Sequence, residues 1–190
     1  GRNSGVLHCG LYYQPGSLKA KLSVNGIREM TSFCKENKLA YDICGKVVVA
    51  STEKEIKALD KLANRGKLNG LSNLKYLNKN ELKKREPFVK AKKTLLVPEE
   101  GIVDYNSVME KLVKLIREQN GEVLFDTLVN KIIKSTSNEV VIKSNHIDFT
   151  FDYIIACSGL WSDKVFSNLS QKKSPLRIIP FRGEYLKFKS

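Results

Sequence analysis

The sequence lacks any run approaching the roughly 18 consecutive apolar residues that a membrane span needs, and it has no charged-then-apolar opening of a signal peptide. A soluble globular chain is expected, with a peripheral membrane contact left open. No CxxC pair occurs among the four cysteines, and neither histidine stands at a metal-ligand spacing from any of them. That removes zinc-ribbon chemistry and leaves reduced, buried thiols in an intracellular compartment as the expectation, Cys9 being the one with a redox or catalytic alternative. GxGxxG is missing, because Gly5, Gly10 and Gly16 are wrongly spaced and no strand precedes Gly5, and so is GxxxxGK[ST]. Acid is scarce against base: 20 Asp+Glu face 33 Lys+Arg, a net charge of +13 that attracts acidic partners. The lysines, however, are spread along helical faces, as in Lys54, Lys57 and Lys61. The densest cluster, Lys83-Lys84-Arg85, has no interleaved aromatics for stacking, so the reading is a solvated surface and no nucleic acid partner.

What is present is enough apolar residue, 42% of 190, for a real core. A first helix is expected from about Ser17 to about Lys38, with Leu18, Leu22, Ile27, Met30 and Phe33-Cys34 as its apolar stripe. Lys46-VVVA reads as a strand, and Thr52-Glu-Lys-Glu55 as a capping box opening a helix that Gly66 and Gly70 end. Leu74 to Leu77 is a strand before a second capping box at Asn78 to Glu81, whose short helix Pro87 stops. Thr94-LLV is a strand, Gly101 a turn, and Ser107-x-x-Glu110 opens the most amphipathic helix, stopped by Asn120-Gly121. Glu122-VLFD, Leu128-VNKIIK, Glu139-VVIK, Ile147-DFTF and Tyr153-IIAC are five β-rich runs, the last expected in a buried sheet. A helix through Trp161 to Leu169 and strands at Arg177-IIP and Glu184-YLKFK finish the chain. The class is mixed α and β, suggesting two interleaved domains.

Chemistry-bearing residues are few. Tyr153-IIACSGLWSD has the strand, small-residue turn and helix order that presents backbone N–H groups to a phosphate, although any strand-turn-helix needs such residues. His8, isolated between Leu7 and Cys9, is either a satisfied core group or a functional one; the polar dots around it, Asn3-Ser4-Gly5 and Tyr12-Tyr13, favour neither alone. His146 lies in a turn and reads as structural or exposed. Arg182 offers a planar fork to a carboxylate but could equally pair with Glu184. Asp104 is first a helix cap.

Taken together, Asn3-SGVLHCGLYYQPGSLKAKL, Gly101-IVDY, Ile154-IACSGLWSD and Pro180-FRGEY resemble, in order and spacing, the FAD-dependent L-2-hydroxyglutarate dehydrogenase/oxidase branch of the D-amino-acid-oxidase-like flavoproteins. The resemblance spans essentially the whole chain, and the opening segment carries most of its specificity. It implies an incomplete Rossmann-type FAD domain, α/β, from residues 1–45 and 101–173. Residues 46–100 and 174–190 would form part of an interleaved α+β substrate domain on an antiparallel sheet. It further implies that Asn3, Ser4 and Gly5 line the flavin, that His8 is the catalytic base and that Tyr12 and Arg182 face the substrate. Val129 would touch the adenine end of FAD, and Ser158, Gly159 and Leu160 its phosphates.

The implied reaction is hydride transfer from a small-molecule 2-hydroxy acid to flavin, with oxygen or a quinone or electron-transfer chain as the acceptor. The alternatives are a related FAD oxidase of another 2-hydroxy acid, amino acid or glycerol phosphate, or a non-catalytic basic binding module. Because the family's amino-terminal glycine fingerprint and its carboxyl-terminal part have no counterpart in this sequence, the chain is expected to be an internal piece of a longer enzyme. FAD binding by the piece alone is then expected to be weak or absent. The implied location is cytoplasmic or at the inner membrane for a bacterial protein and mitochondrial for a eukaryotic one.

Overall fold

A computed structural model describes residues 3–134, 139–170 and 172–184. The chain forms two compact units, residues 1–122 and 123–190. Every strand pairing among the described residues is antiparallel. No helix among them is long and apolar enough to cross a membrane.

The first unit contains two three-stranded sheets. In one, β1 (Val6–Leu7) and β2 (Tyr41–Asp42) flank a later strand, β6 (Gly101–Val103); in the other, β3 (Lys46–Ala50) and β4 (Lys75–Leu77) flank β5 (Lys93–Val97). The two central strands, β5 and β6, are consecutive in the chain, joined only by Pro98-Glu99-Glu100. Helix α1 (Leu18–Glu36) starts where the Ser17 hydroxyl accepts the Ala20 N–H at 3.2 Å. Its buried positions are Ala20, Val24 and Cys34, with Ile27 packed between, whereas Leu18 and Leu22 are exposed. The expected stripe is thus rotated at its amino-terminal end. The reason is Gly10, held at φ +90°, whose backbone approaches α1 so closely that a Cβ would lie 3.1 Å from Val24 Cγ2. Small side chains on α1, not the leucines, meet that approach.

Helix α2 (Glu53–Leu68) has the expected capping box between Thr52 and Glu55. Gly66 does not end it but lies within, because a Cβ there would stand 2.7 Å from Leu74 Cδ1 and 2.8 Å from Leu11 Cδ1. Gly70, at φ +90°, follows the real end. Helix α3 (Lys79–Arg85) carries the second capping box, Asn78 with Glu81. Gly101 belongs to β6 and not to a turn, and helix α4 (Tyr105–Glu118) is capped by Asp104, not opened at Ser107. Asn120 at φ 60° stops it, and the Gly121 N–H donates back to Ile116 O at 2.8 Å. The main core joins Cys9 and Leu11 to Ala50, Leu59, Ala63, Leu71, Leu95 and Val97. Each fully buried leucine there contributes about 1.5–3 kcal/mol.

In the second unit β7 (Val129–Lys134), β8 (Val140–Ser144) and β9 (Asp148–Phe151) form the expected meander, with a register shift after Val129. Helix α5 (Ser162–Ser170) follows a single 3-10 turn at Gly159–Trp161. Three expected strands are not formed. Residues 122–126, 153–157 and 177–180 are irregular, Tyr153 and Ile155 lying exposed. An apolar run becomes a buried strand only where neighbours accept its hydrogen bonds, and among the described residues none does. The strand expected from Glu184 falls, past its first residue, outside the described residues.

Candidate active site

Chain alternation sets out the first part of the site. Leu7, Cys9 and Leu11 point into the core, so His8 between them points out, with half of its side chain accessible (52%). Ahead of it, Asn3 Oδ1 accepts the Gly5 N–H at 2.9 Å, and Gly5 takes φ +68°, where a side chain would be strained. Gly5 O in turn accepts the Val103 N–H at 2.8 Å, which fixes this turn to β6. Beside it, Ser4, Gly5, Ala40, Tyr41, Ile102 and Val103, with the acids Asp42 and Asp104, line a recess of about 500 Å³.

The decisive neighbour of His8 is Glu100, only 3% exposed, at the junction of the two central strands. Its Oε1 lies 2.9 Å from His8 Nδ1 and accepts from Lys46 Nζ at 2.6 Å. Its Oε2 accepts from Cys9 Sγ at 2.9 Å and from the Cys9 N–H at 3.4 Å. Lys46 arrives by register: the Gly45 N–H donates to Glu100 O at 2.8 Å, and Lys46 then pairs with Val97 at the end of β5. Its ammonium also stands 4.6 Å from the centre of the Tyr12 ring, a cation–π distance. Burial alone would push the Glu100 carboxyl up, but the hydrogen bonds from Cys9, Lys46 and His8 and the Lys46 charge outweigh it. The group is held below the ordinary carboxylate value. The Cys9 thiol moves the other way: burial, and then the hydrogen bond and charge of Glu100, push it up to about 12.

His8 and Tyr12 are therefore brought together through Lys46 and Glu100, two residues that the sequence reading missed. The one local signal was the acid pair Glu99-Glu100 between two apolar runs, which looks like a solvated turn. The remaining expected site residues lie in the second unit. Val129 opens β7 opposite Ser144. Ser158 precedes the 3-10 turn without a side-chain cap bond, Gly159 takes φ +54° with open space where a Cβ would be, and Leu160 is exposed. Arg182 Nε is 3.8 Å from Glu184 Oε1, both well exposed, which matches the ion-pair alternative for that arginine. His146 is a turn residue, its Nε2 within 3.2 Å of Asp126 O. Of the four free thiols Cys9 and Cys34 are buried; Cys44 and Cys157 are exposed, correcting the expectation that all are buried. No group of three or more His, Cys, Asp or Glu among the described residues could hold a metal ion.

Comparison with known proteins identifies the setting. The FAD dependent oxidoreductase family matches residues 1–190. The chain belongs to this family. Among relatives of the chain, L-2-hydroxyglutarate dehydrogenase of Indibacter alkaliphilus is 42% identical over 192 residues, covering 100% of the chain and 47% of that protein. The mitochondrial L-2-hydroxyglutarate dehydrogenase of Homo sapiens is 36% identical over 200 residues, covering 100% of the chain and 43% of that protein. The chain thus spans about half the length of the relatives it matches.

Among solved structures, L-alpha-glycerophosphate oxidase from Mycoplasma pneumoniae with FAD bound superposes at a TM-score of 0.79 with 23% identity, over 88% of this chain and 46% of that one. Glycine oxidase from Geobacillus kaustophilus gives 0.77 with 18% identity, over 87% and 46%. These likenesses show the fold of the chain, mixed helices with antiparallel sheets.

Proposed function

We propose that the chain is part of a longer flavoenzyme that oxidises L-2-hydroxyglutarate to 2-oxoglutarate. The observation that carries this reading is the His8 imidazole, held through Nδ1 at a buried carboxylate with its other side open. Identity of 42% and 36% along the whole chain to proteins named L-2-hydroxyglutarate dehydrogenase supports the substrate.

The residues present fit FAD. The Asn3-Ser4-Gly5 turn offers a glycine backbone beside a recess suited to a flat ring. The Ser158-Gly159-Leu160 turn offers an uncapped hydroxyl and an unobstructed backbone suited to phosphate. Val129 would contact the adenine end. FAD, when bound, supplies the acceptor for the hydride leaving C2. His8 takes the substrate's hydroxyl proton at Nε2, a task for which imidazole is the apt side chain near neutral pH. Lys46 and Tyr12 present a cation and a phenol hydroxyl to a substrate carboxylate.

The interleaved two-domain arrangement is part of the same reading, and strand membership supports it. The sheet of β1, β2 and β6 draws only on residues 1–45 and 101–173, whereas that of β3, β4 and β5 draws only on 46–100.

The test uses the full-length parent enzyme, loaded with FAD and mixed without oxygen with L-2-hydroxyglutarate, D-2-hydroxyglutarate, glycerol 3-phosphate and glycine in turn. Bleaching of the flavin by L-2-hydroxyglutarate alone, with 2-oxoglutarate formed, is expected. His8→Asn should lower kcat by about 10²–10⁴-fold, the contribution of a positioned general base. Bleaching by glycerol 3-phosphate or glycine in its place would assign a related oxidase. Subsequent mixing with oxygen or a quinone identifies the electron acceptor.

A further inference from the structure

We infer that Glu100 is the positioning residue of this site: its carboxylate fixes His8 as the Nδ1–H tautomer, so that Nε2 carries the free lone pair. The inference rests on the proposed role of His8 for its catalytic consequence, but its structural content stands without it. An ionised carboxylate has only acceptors to offer. The Glu100 carboxylate meets an ammonium at 2.6 Å, a thiol at 2.9 Å and a backbone N–H at 3.4 Å, all of which are donors. The fourth group, His8 Nδ1 at 2.9 Å, must then donate as well, because a lone pair turned on a carboxylate oxygen would be repelled. A neutral ring protonated at Nδ1 leaves Nε2 unprotonated.

Two features make the device rigid. Glu100 is itself locked, since Gly45 holds its backbone and four donors hold its side chain in a buried place. His8 Nδ1 and Lys46 Nζ share one oxygen, Oε1, so a single atom sets the position of the base and of the nearest cation. Loss of the Glu100 carboxylate therefore disturbs the orientation of the base and the placement of Lys46 together.

Only two histidines occur in the chain, which makes the tautomer directly readable. With 15N-histidine incorporated in the 190-residue chain, ring nitrogen shifts at a pH where the imidazole is neutral are expected to show His8 protonated at Nδ1. A predominant Nε2–H form would overturn the inference, and this spectrum needs neither a variant nor flavin. In Glu100→Ala, which leaves Nδ1 no acceptor, the Nδ1–H preference should be lost while His146 is unchanged; a His8 pattern identical to the parent's would also overturn it.

In the full-length enzyme the same variant should lower kcat about 10- to 100-fold and also raise KM for L-2-hydroxyglutarate, because Lys46 loses the atom that places it. An unchanged kcat would sink the positioning role. If the unaltered enzyme does not oxidise L-2-hydroxyglutarate at all, the functional reading fails, while the tautomer spectrum still decides the role of Glu100.

Discussion

Glu100 and Lys46 show how one buried charge is kept. With its carboxyl held below the ordinary value, the folded state binds the Glu100 proton more weakly than the unfolded chain does. The stability this provides is present above the unfolded value of about 4.3 and is lost as pH falls through the folded value. Lys46→Met removes the cation and leaves the Cys9 and His8 donors in place. Urea unfolding at neutral pH should then show a loss of about 1–3 kcal/mol. That is less than the full 3–5 kcal/mol of a broken buried pair, because water reaches Lys46 and two partners remain. The loss should shrink in acid, where Glu100 is protonated in both proteins; an equal loss at both pH values would assign it to packing of the lysine stem. The same carboxylate raises the Cys9 thiol, so Cys9 combines burial with a scarce thiolate. Iodoacetamide on the native chain should label Cys44 and Cys157 and spare Cys9 and Cys34 until urea is added, as read by peptide mass spectrometry. Labelling of Cys9 as fast as Cys44 would contradict this environment.

Elements differ in how far their causes are local. Both capping boxes and the Asn120-Gly121 stop are set by neighbours within a few residues, and each was legible. His8 and Tyr12 stood out by residue type and resemblance. Their partners did not, because the contacts to Glu100 span 92 residues from His8 and 54 from Lys46, distances over which no periodicity speaks. Tyr153 to Cys157 misled for the same reason, since a strand requires a partner that a local apolar run does not name. Gly101 is the sharpest case of a tertiary cause. It reads as a turn glycine, yet it sits in β6 opposite Leu7, and a Cβ there would lie 2.5 Å from the Asp42 backbone oxygen. Gly101→Ala must therefore push β2 away from β6 or shift the residue beside Glu100. A destabilisation of about 1–3 kcal/mol is expected in denaturant unfolding. Its distinguishing mark is loss of the His8 Nδ1–H signature along with stability; retention of both would mean that β2 gives way freely.

At the scale of the whole molecule, the two compact units meet in the chain at Glu122 and Val123, and the segment that joins α4 to β7 has no regular structure. It carries Leu124, Phe125 and Leu128 in exposed positions, so a protease that cuts after large apolar residues finds both sequence and access there. The second unit exposes more such sites outside its elements, at Tyr153, Leu176 and Phe181. In the first unit Tyr12, Tyr41 and Tyr76 are only partly accessible and are tied down, whereas Phe88, in the turn after α3, is fully exposed. Tyr12 is held by a bond from Arg65 Nη1 to its carbonyl at 3.0 Å, Tyr41 by pairing with Val103, and Tyr76 by a bond to Asp60 at 2.5 Å. Proteolysis follows the free energy of local opening more than residue exposure alone, and that energy is greatest where strands and buried leucines are closed together. Brief chymotrypsin treatment of the 190-residue chain should therefore cut first after Phe88, Phe125 and Tyr153. Within residues 3–125 cleavage should be confined to Phe88, leaving the strands that carry His8, Lys46 and Glu100 uncut. Mass spectrometry of the time course reads this directly. Early cleavage after Tyr12 or Tyr41 would show that the sheet junction around Glu100 opens as readily as the segment between the units.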